Sequence, residues 1–306
     1  MKRRYRDFLA LCVVLGMGSA CAVYNDSCPV TRPEVWGTIN TDLDIRRIFV
    51  RQCEAPVGNF LADALFYHDY NQPGATVVLS LFNGGAIRDE VVCGSGGSGT
   101  TRERISKGPI TDQDVYQMMP FHEDTVVLVK LSGEQLLRVL ENAVSLVPKF
   151  GENAGDQADQ MGRFLHVSGG YDIALGQSNV KVSIDCNQQA QELTEDGKGI
   201  RTQGQRVSVT FRGGIPLEPT ATYWVATLDY LTGQNKNGQP NDGYVAFHEA
   251  GVEVYNTNIP VIEIVHEWIA GHGQVRQTNT TPPAPDPSYP SVEGRLERVS
   301  CSDVCK

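Results

Sequence analysis

An apolar run that ends in two consecutive glycines is the feature of this chain that most limits its fold. Residues 76–82 are mostly β-branched or bulky apolar side chains, and Asn83-Gly84-Gly85-Ala86-Ile87-Arg88 follows them directly. The run predicts a buried strand, and the glycines predict a sharp turn where the backbone can approach a ligand closely. An amide and a guanidinium flanking that turn suit a ligand with a hydrogen-bonding ring and with hydroxyl or anionic oxygens. An ordinary surface turn has the same pattern, so the hexapeptide alone does not establish a binding site.

Strands and helices follow one another irregularly along the rest of the chain. Apolar spacing and capping residues predict helices over residues 57–67, from Thr111, from Ser132 to Pro148, and over 261–270. β-rich runs predict further strands at residues 125–131, 164–167, 171–174, 180–185, 206–211 and 223–227. Loops are predicted at residues 93–101, 149–160 and 274–290. Because the alternation is not strict, we expect an α+β fold, a single mixed domain with central strands flanked by helices, rather than a doubly wound sheet.

The first 22 residues have the three-part layout of a secretory signal. Basic residues precede an apolar run at 8–17, and small residues follow it. Cleavage after Ala22 and lipidation of Cys21 are both compatible with this layout. We therefore expect an extracytoplasmic protein, secreted or periplasmic, which would contact a membrane only if Cys21 were lipidated.

The cysteines agree with export. Outside the predicted signal they are Cys28, Cys53, Cys93, Cys186, Cys301 and Cys305. An even number in an oxidising compartment predicts disulfides, whose pairing the sequence leaves open. A zinc site is the competing use, but no Cys-x-x-Cys pair is present.

The acidic balance of the chain limits its partners. The formal net charge is −10, which disfavours nucleic-acid polymers and anionic membranes. A small anionic ligand would need a local cluster of arginines.

Several segments, read in order, resemble the C-terminal domain of the 5′-nucleotidase family. The first matches are Arg51-x-x-Glu54, the helix start at residues 58–64, and the hexapeptide at residues 83–88. Later matches lie at residues 108–111, 120–121, 131–133, 162–169, 226–231, 241–244 and 293–296. The resemblance spans roughly residues 36–299, which we expect to be one domain, after a leader at 23–35 and before a tail at 300–306.

The resemblance implies a site for a nucleoside or nucleotide. Phe121 and Tyr230 would hold a base between two rings, and Asn83 would bond the ring or the sugar. Asp242 would accept from the ribose hydroxyls, and Arg51 and Arg88 would face the ribose and phosphate. Taken singly, Phe121 is an ordinary core aromatic, Asp242 a turn residue and Arg51 a solvated charge. The chain departs from the family pattern at Pro56 and in a longer polar segment at residues 232–241.

The resemblance also implies what this chain lacks. The family binds two divalent metals in a separate N-terminal metallophosphatase domain, and none of the six histidines here stands in a segment of that type. We therefore expect no catalytic or metal-binding residue and no cofactor in this chain. Three functions remain open: a nucleoside-recognition domain of nucleotide catabolism, a subunit or fragment of a split nucleotidase or UDP-sugar hydrolase with a metallophosphatase partner, and a non-catalytic secreted interaction protein.

Overall fold

The computed structural model describes residues 32–90, 101–152, 162–169, 180–234, 241–271 and 292–305. At residues 171–172, 177–178 and 212 it describes the backbone alone. The predicted signal, Cys28, Cys93, the linker at 274–290 and most of the two predicted loops at 93–101 and 149–160 lie outside the described residues.

The helices are α1 (Arg47–Val50), α2 (Pro56–Tyr67), α3 (Asp112–Met118), α4 (Gly133–Val144), α5 (Asp229–Thr232) and α6 (Val261–Gly271). The four predicted helices are confirmed, with boundaries shifted by a few residues. Thr111 and Ser132 each form the capping box that their spacing predicts: each hydroxyl accepts from a backbone N–H three residues later, whose side chain bonds back. Pro56 is the first residue of α2, where the missing N–H removes no helical bond.

The strands of the first half of the chain are β1 (Val35–Ile39), β2 (Leu43–Asp44), β3 (Val77–Asn83), β4 (Arg104–Ile105), β5 (Gly108–Thr111), β6 (Thr125–Ser132), β7 (Leu165–Ser168) and β8 (Tyr171–Asp172). Those of the second half are β9 (Gln177–Ser178), β10 (Lys181–Asp185), β11 (Glu192–Leu193), β12 (Ile200–Thr202), β13 (Val207–Phe211), β14 (Ile215–Pro216), β15 (Thr222–Leu228), β16 (Glu253–Pro260) and β17 (Leu296–Val299). All seven predicted strands are present.

A five-stranded sheet with the order β16-β6-β15-β3-β7 forms the centre of the domain. Strand β15 is parallel to β3 and antiparallel to β6, while β7 is antiparallel to β3. A mixed sheet of this kind confirms the expected α+β class.

Two hydrophobic layers cover the two faces of this sheet. Val126 and Leu128 of β6 belong to one core, with α2 and α6, whereas Val127, Val129 and Leu131 belong to the other, with α4. The alternation follows from the two-residue period of a strand. A second sheet, β14-β13-β10-β17, lies in the α4 layer.

The last strand ties the end of the chain to the middle of α2. Arg295, just before β17, has a side chain 1% exposed and binds both carboxylate oxygens of Asp63 at 2.7 and 2.9 Å. Glu54, before α2, accepts from the backbone of Glu293 and Leu296. A buried ion pair needs such close partners, because either charge left alone would be strongly destabilising.

Two disulfides join the chain end to earlier segments. Cys53 pairs with Cys305, and Cys186 pairs with Cys301. The prediction of disulfides is confirmed for these four cysteines.

Strand β16 was not predicted from the sequence. Its polar residues Asn256, Thr257 and Asn258 interrupt the apolar alternation, and the register with β6 shifts at this point, where Asn258 has a φ of 56°.

None of the helices in the described ranges is long and apolar enough to cross a membrane.

Candidate functional site

The hexapeptide after β3 forms a single tight turn at the end of the central sheet. Gly84–Ala86 makes one turn of 3₁₀ helix, and the N–H of Arg88 then donates to the carbonyl of Met118. Asn83, the last residue of β3, is 2% exposed, and its Oδ1 has no hydrogen-bond partner within the described ranges. The sequence prediction of a strand followed by a sharp turn is confirmed.

Both glycines of the turn lie against other backbone. A Cβ on Gly84 would overlap the carbonyl of Val50, and a Cβ on Gly85 would lie 2.8 Å from the carbonyl oxygen of Gly162. The glycines therefore lie close to the end of α1 and to the segment before β7, whereas the sequence predicted a close approach to a ligand. Through Gly84, the turn fixes the backbone that leads into Arg51.

Arg88 and Phe121 form the open side of the site. The guanidinium carbon of Arg88 lies 5.1 Å from the centroid of the Phe121 ring, within the range of a cation–π interaction. The Phe121 ring is 45% exposed, which is unusual for a large apolar side chain. Burial, and then the nearby charge of Arg47, lower the pKa of Arg88.

Tyr230 and Asp242 form a second pair of side chains at the site. The Tyr230 hydroxyl donates to Oδ1 of Asp242 at 3.3 Å, and Asn241 donates from its Nδ2 to the Tyr230 carbonyl at 2.7 Å. Burial and then the Asp242 carboxylate raise the pKa of Tyr230 to about 12, so the phenol stays protonated. Asp242 has a φ of 53° within an Asn-Asp-Gly turn, a conformation that Asp tolerates better than most residues.

The charges of three arginines act on the Asp242 carboxylate. Burial raises the pKa of Asp242, whereas the charges of Arg163, Arg51 and Arg88 act to lower it. Arg51 is 2% exposed and follows α1, and Arg163 is held through Asn142 and Ser145. An acidic chain therefore concentrates positive charge at this place, as binding of a small anion would require.

The structure brings five of the six candidate residues together: Arg51, Arg88, Phe121, Tyr230 and Asp242, which we call the ring site. Arg88 lies over the Phe121 ring and is close enough for its charge to act on Tyr230 and Asp242, and the charge of Arg51 also acts on Asp242. Asn83 lies at the base of the turn that leads to Arg88 and makes no side-chain hydrogen bond to the other five in the described part of the chain.

Sequence reasoning gave no site role to Arg163 or His166. His166 is fully buried, shares a hydrogen bond of 2.8 Å with the carbonyl of Val50, and packs where a Cβ on Gly58 would stand. Burial lowers its pKa to about 4, so the ring is neutral and serves to position the end of α1. Both residues stand in the Gly-Arg-Phe-Leu-His segment, whose match to the family pattern was the available signal.

A cleft of about 670 Å³ lies elsewhere, between the end of α2 and α6, and is lined by residues that include Tyr67, His68 and Trp268. Its aromatic groups are already paired: Tyr67 stacks on Trp268 with centroids 5.5 Å apart, and His68 lies 3.1 Å from a carboxylate oxygen of Glu267. None of the ring-site residues lines this cleft.

Within the described ranges, no group of three or more His, Cys, Asp or Glu side chains could hold a metal ion. The ring site itself offers an exposed aromatic face, a carboxylate and guanidinium groups. Such a set can bind a flat, oxygen-rich molecule.

The family model of the 5′-nucleotidase C-terminal domain matches residues 35–240, about two thirds of the chain. The chain belongs to this family.

Individual relatives agree with the family and are much longer than this chain. The trifunctional nucleotide phosphoesterase protein YfkN of Bacillus subtilis is 28% identical over 214 residues, which cover 70% of this chain and 11% of that protein. The 5′-nucleotidase precursor of Thermus thermophilus superposes with a TM-score of 0.58 at 25% identity, over 87% of this chain and 39% of that one.

A putative 5′-nucleotidase from Staphylococcus aureus, solved in complex with alpha-ketoglutarate, has a TM-score of 0.53 at 16% identity. The match covers 86% of this chain and 40% of that one, and it supports the fold alone. The chain thus spans well under half the length of these members of the family.

Proposed function

We propose that this chain binds a nucleoside or nucleotide at the ring site and takes part in nucleotide catabolism, with phosphate-ester hydrolysis only when a metallophosphatase domain is supplied in trans. The observation that carries the proposal is the convergence of Phe121, Tyr230, Asp242 and the arginines from separate segments of the chain. Packing of the core does not require an exposed phenylalanine beside a half-buried arginine.

The geometry supports a different role for each residue of the ring site. A base would stack on Phe121, and it would move the Arg88 guanidinium from the ring face towards the sugar or phosphate. Tyr230 already bonds Oδ1 of Asp242, so Oδ2 is the oxygen that would accept from a ribose hydroxyl. Arg51 would face the same end of the ligand, and the unsatisfied Asn83 Oδ1 would accept from the ring or sugar.

Calorimetry with adenosine and AMP tests the binding directly. We expect Kd values from about micromolar to about millimolar, because a single domain gains stacking and only a few hydrogen bonds. Phe121→Ala and Tyr230→Ala should each weaken binding about tenfold, since stacking contributes about 1–3 kcal/mol per base.

Two other exposed aromatics provide matched controls. Phe150 is 66% exposed and Tyr255 is 41% exposed, and both lie outside the ring site. Phe150→Ala and Tyr255→Ala should leave the Kd unchanged. If disulfide-intact protein gives no heat with either ligand, the nucleoside proposal is wrong and the non-catalytic interaction protein becomes the better description.

The same proposal includes export and the domain limits. Residues 1–22 would be removed as a signal, leaving a leader at 23–35, one domain at 36–299 and a tail at 300–306. Disulfides Cys53–Cys305 and Cys186–Cys301 support an oxidising compartment. Mass spectrometry of the mature protein would show the cleavage site and any lipid on Cys21.

A split enzyme is the second candidate, because the matched relatives are more than twice as long as the segment that this chain covers. Purified chain alone should release no phosphate from AMP with Mn²⁺ or Zn²⁺. Addition of a separately expressed metallophosphatase domain, encoded by a neighbouring reading frame, should restore hydrolysis, and Phe121→Ala should reduce it. Phosphate release by the chain alone would contradict this account.

A further inference from the structure

The disulfide between Cys53 and Cys305 lies beside a guanidinium group. Nη1 of Arg298 lies 3.8 Å from Sγ of Cys53 and also contacts Sγ of Cys305. Arg298 stands in β17, two positions after the buried Leu296, and the two-residue period of a strand puts both side chains on the same face. The end of the chain therefore brings a positive charge into contact with both sulfur atoms.

The Arg298 guanidinium forms no ion pair with a carboxylate in the part of the chain that the structure describes. Its Nη2 donates to the Ser302 hydroxyl at 3.4 Å, and its Nε is buried without a hydrogen-bond partner among the described residues. Burial lowers the pKa of Arg298 to about 10, and the charge of Asp303 acts against this shift. Because a thiolate is stabilised by a neighbouring cation, reduction of the disulfide would give this charge a counter-ion.

The two cysteines of this disulfide differ in their exposure to solvent. Cys53 is 1% exposed, whereas Cys305 is half-buried and ends the one-turn 3₁₀ helix at residues 303–305. A thiolate arriving from solvent therefore reaches Cys305 first. Attack at its sulfur makes the sulfur of Cys53 the leaving group, and Arg298 lies beside that atom.

The disulfide between Cys186 and Cys301 has a different environment. The two residues are 0% and 7% exposed. Sγ of Cys301 lies 3.8 and 3.3 Å from the carbonyl oxygens of Ile184 and Val299. The guanidinium of Arg206 is nearby, but it donates to backbone carbonyls, including that of Cys186. This disulfide is therefore an internal reference, since it is less accessible and its neighbouring oxygens would disfavour a thiolate.

We propose that Cys53–Cys305 is a thiol–disulfide exchange site for a dithiol reductant, in which Arg298 stabilises the departing thiolate, and that its reduction weakens the ring site. The effect on the ring site rests on the proposed function. The exchange itself is measured without a ligand.

The exchange transfers two electrons from the dithiol to the protein. One thiolate of the reductant attacks Sγ of Cys305, the S–S bond breaks, and its electron pair remains on Sγ of Cys53 as a thiolate beside Arg298. The second thiolate of the reductant then attacks the mixed disulfide, so that the reductant leaves as a disulfide and Cys305 as a thiolate. Of the two thiol protons of the reductant, one goes to Cys305 and the other to water.

Reduction would separate the end of the chain from the backbone that follows Arg51. Cys53 is two residues after Arg51, and Sγ of Cys305 lies 3.7 Å from the carbonyl oxygen of the intervening Gln52. The backbone before Arg51 would keep its contact with His166 through the Val50 carbonyl. We therefore expect affinity for AMP to fall on reduction without being abolished.

A titration with dithiothreitol tests the exchange on the full oxidised chain. Free thiols are alkylated at each concentration, and peptide mapping by mass spectrometry identifies the cysteines that became reduced. The Cys53–Cys305 pair should open at the lowest concentrations, while Cys186–Cys301 remains intact. Simultaneous opening of the two disulfides, or earlier opening of Cys186–Cys301, overturns the proposal without any variant.

Variants of Arg298 test the role of its charge. Arg298→Gln should slow reduction of Cys53–Cys305 about tenfold, because a thiolate without a positive neighbour has a higher pKa and leaves more slowly. Arg298→Lys keeps the charge and should react nearly as fast as wild type. Arg201→Gln is the matched control, since it removes the charge of an exposed arginine elsewhere and should leave the rate unchanged. Equal rates in wild type and R298Q overturn the proposal.

Calorimetry with AMP on the selectively reduced protein tests the coupling to the ring site. The Kd should rise about fivefold on reduction and return to its original value on reoxidation. A Kd that is the same in both redox states overturns the coupling. Selective reduction that depends on Arg298, without AMP binding in either redox state, rejects the proposed function while the exchange site stands.

Discussion

At the scale of single residues, the site depends on backbone contacts that cannot be predicted from the residue types alone. The two glycines at 84 and 85 suggested a close approach to a ligand, but the groups that they lie against are the backbone atoms of Val50 and Gly162. Gly58 likewise makes room for the His166 ring, which in turn bonds the Val50 carbonyl. These close contacts position the backbone before Arg51.

Gly84→Ala tests this chain of contacts. The added Cβ would overlap the Val50 carbonyl, so we expect a loss of about 1–3 kcal/mol in the free energy of unfolding and weaker binding of AMP. Urea denaturation and calorimetry would measure the two effects.

Gly199→Ala is the matched control. Its Cβ would meet only Thr194 side-chain atoms at 3.5 and 3.6 Å, so stability should change by less than about 0.5 kcal/mol. Equal behaviour of the two variants would contradict the close packing described for Gly84.

Among the helices and strands, the strongest periodic segments were predicted with nearly correct limits, because local spacing and capping specify them. Helix α4 has both an apolar face and a capping box, and β6 has a largely apolar run. Strand β16 escaped prediction, since its pairing with β6 compensates for the polar residues 256–258. Helix α1 is only one turn long and is held by its neighbours, including the disulfide at Cys53.

The disulfides Cys53–Cys305 and Cys186–Cys301 should differ in their effect on the site. Removing Cys53–Cys305 with a Cys53→Ser, Cys305→Ser double variant should cost about 2–5 kcal/mol in unfolding free energy. It should also weaken AMP binding, because Cys53 follows Arg51 closely in the chain.

The corresponding double variant of Cys186 and Cys301 provides the comparison. It should also be less stable, yet its Kd for AMP should match wild type, since neither cysteine adjoins a ring-site residue. Urea denaturation would measure the stability of both double variants, and calorimetry on the same samples would measure their Kd for AMP. Loss of affinity in both variants, in proportion to stability, would contradict a specific role for Cys53–Cys305.

In the molecule as a whole, the mixed central sheet brings distant segments to one edge. Parallel pairing of β3 with β15 places the turn after residue 83 near α5, although Asn83 and Tyr230 are far apart in sequence. Near the end of the chain, the Arg295 side chain binds Asp63 of α2, and the following strand β17 pairs with β10.

The strongly periodic helices and strands, the α+β class, the presence of disulfides and, through the ordered motifs, the family were readable from the chain alone. These properties follow from local periodicity, capping and residue type, which are written along the chain. The three-dimensional fold was needed to bring Arg51, Arg88, Phe121, Tyr230 and Asp242 into one region and to place Arg163 and His166 next to it. Proximity between residues that are distant in the chain depends on strand order and packing, and no local pattern encodes it.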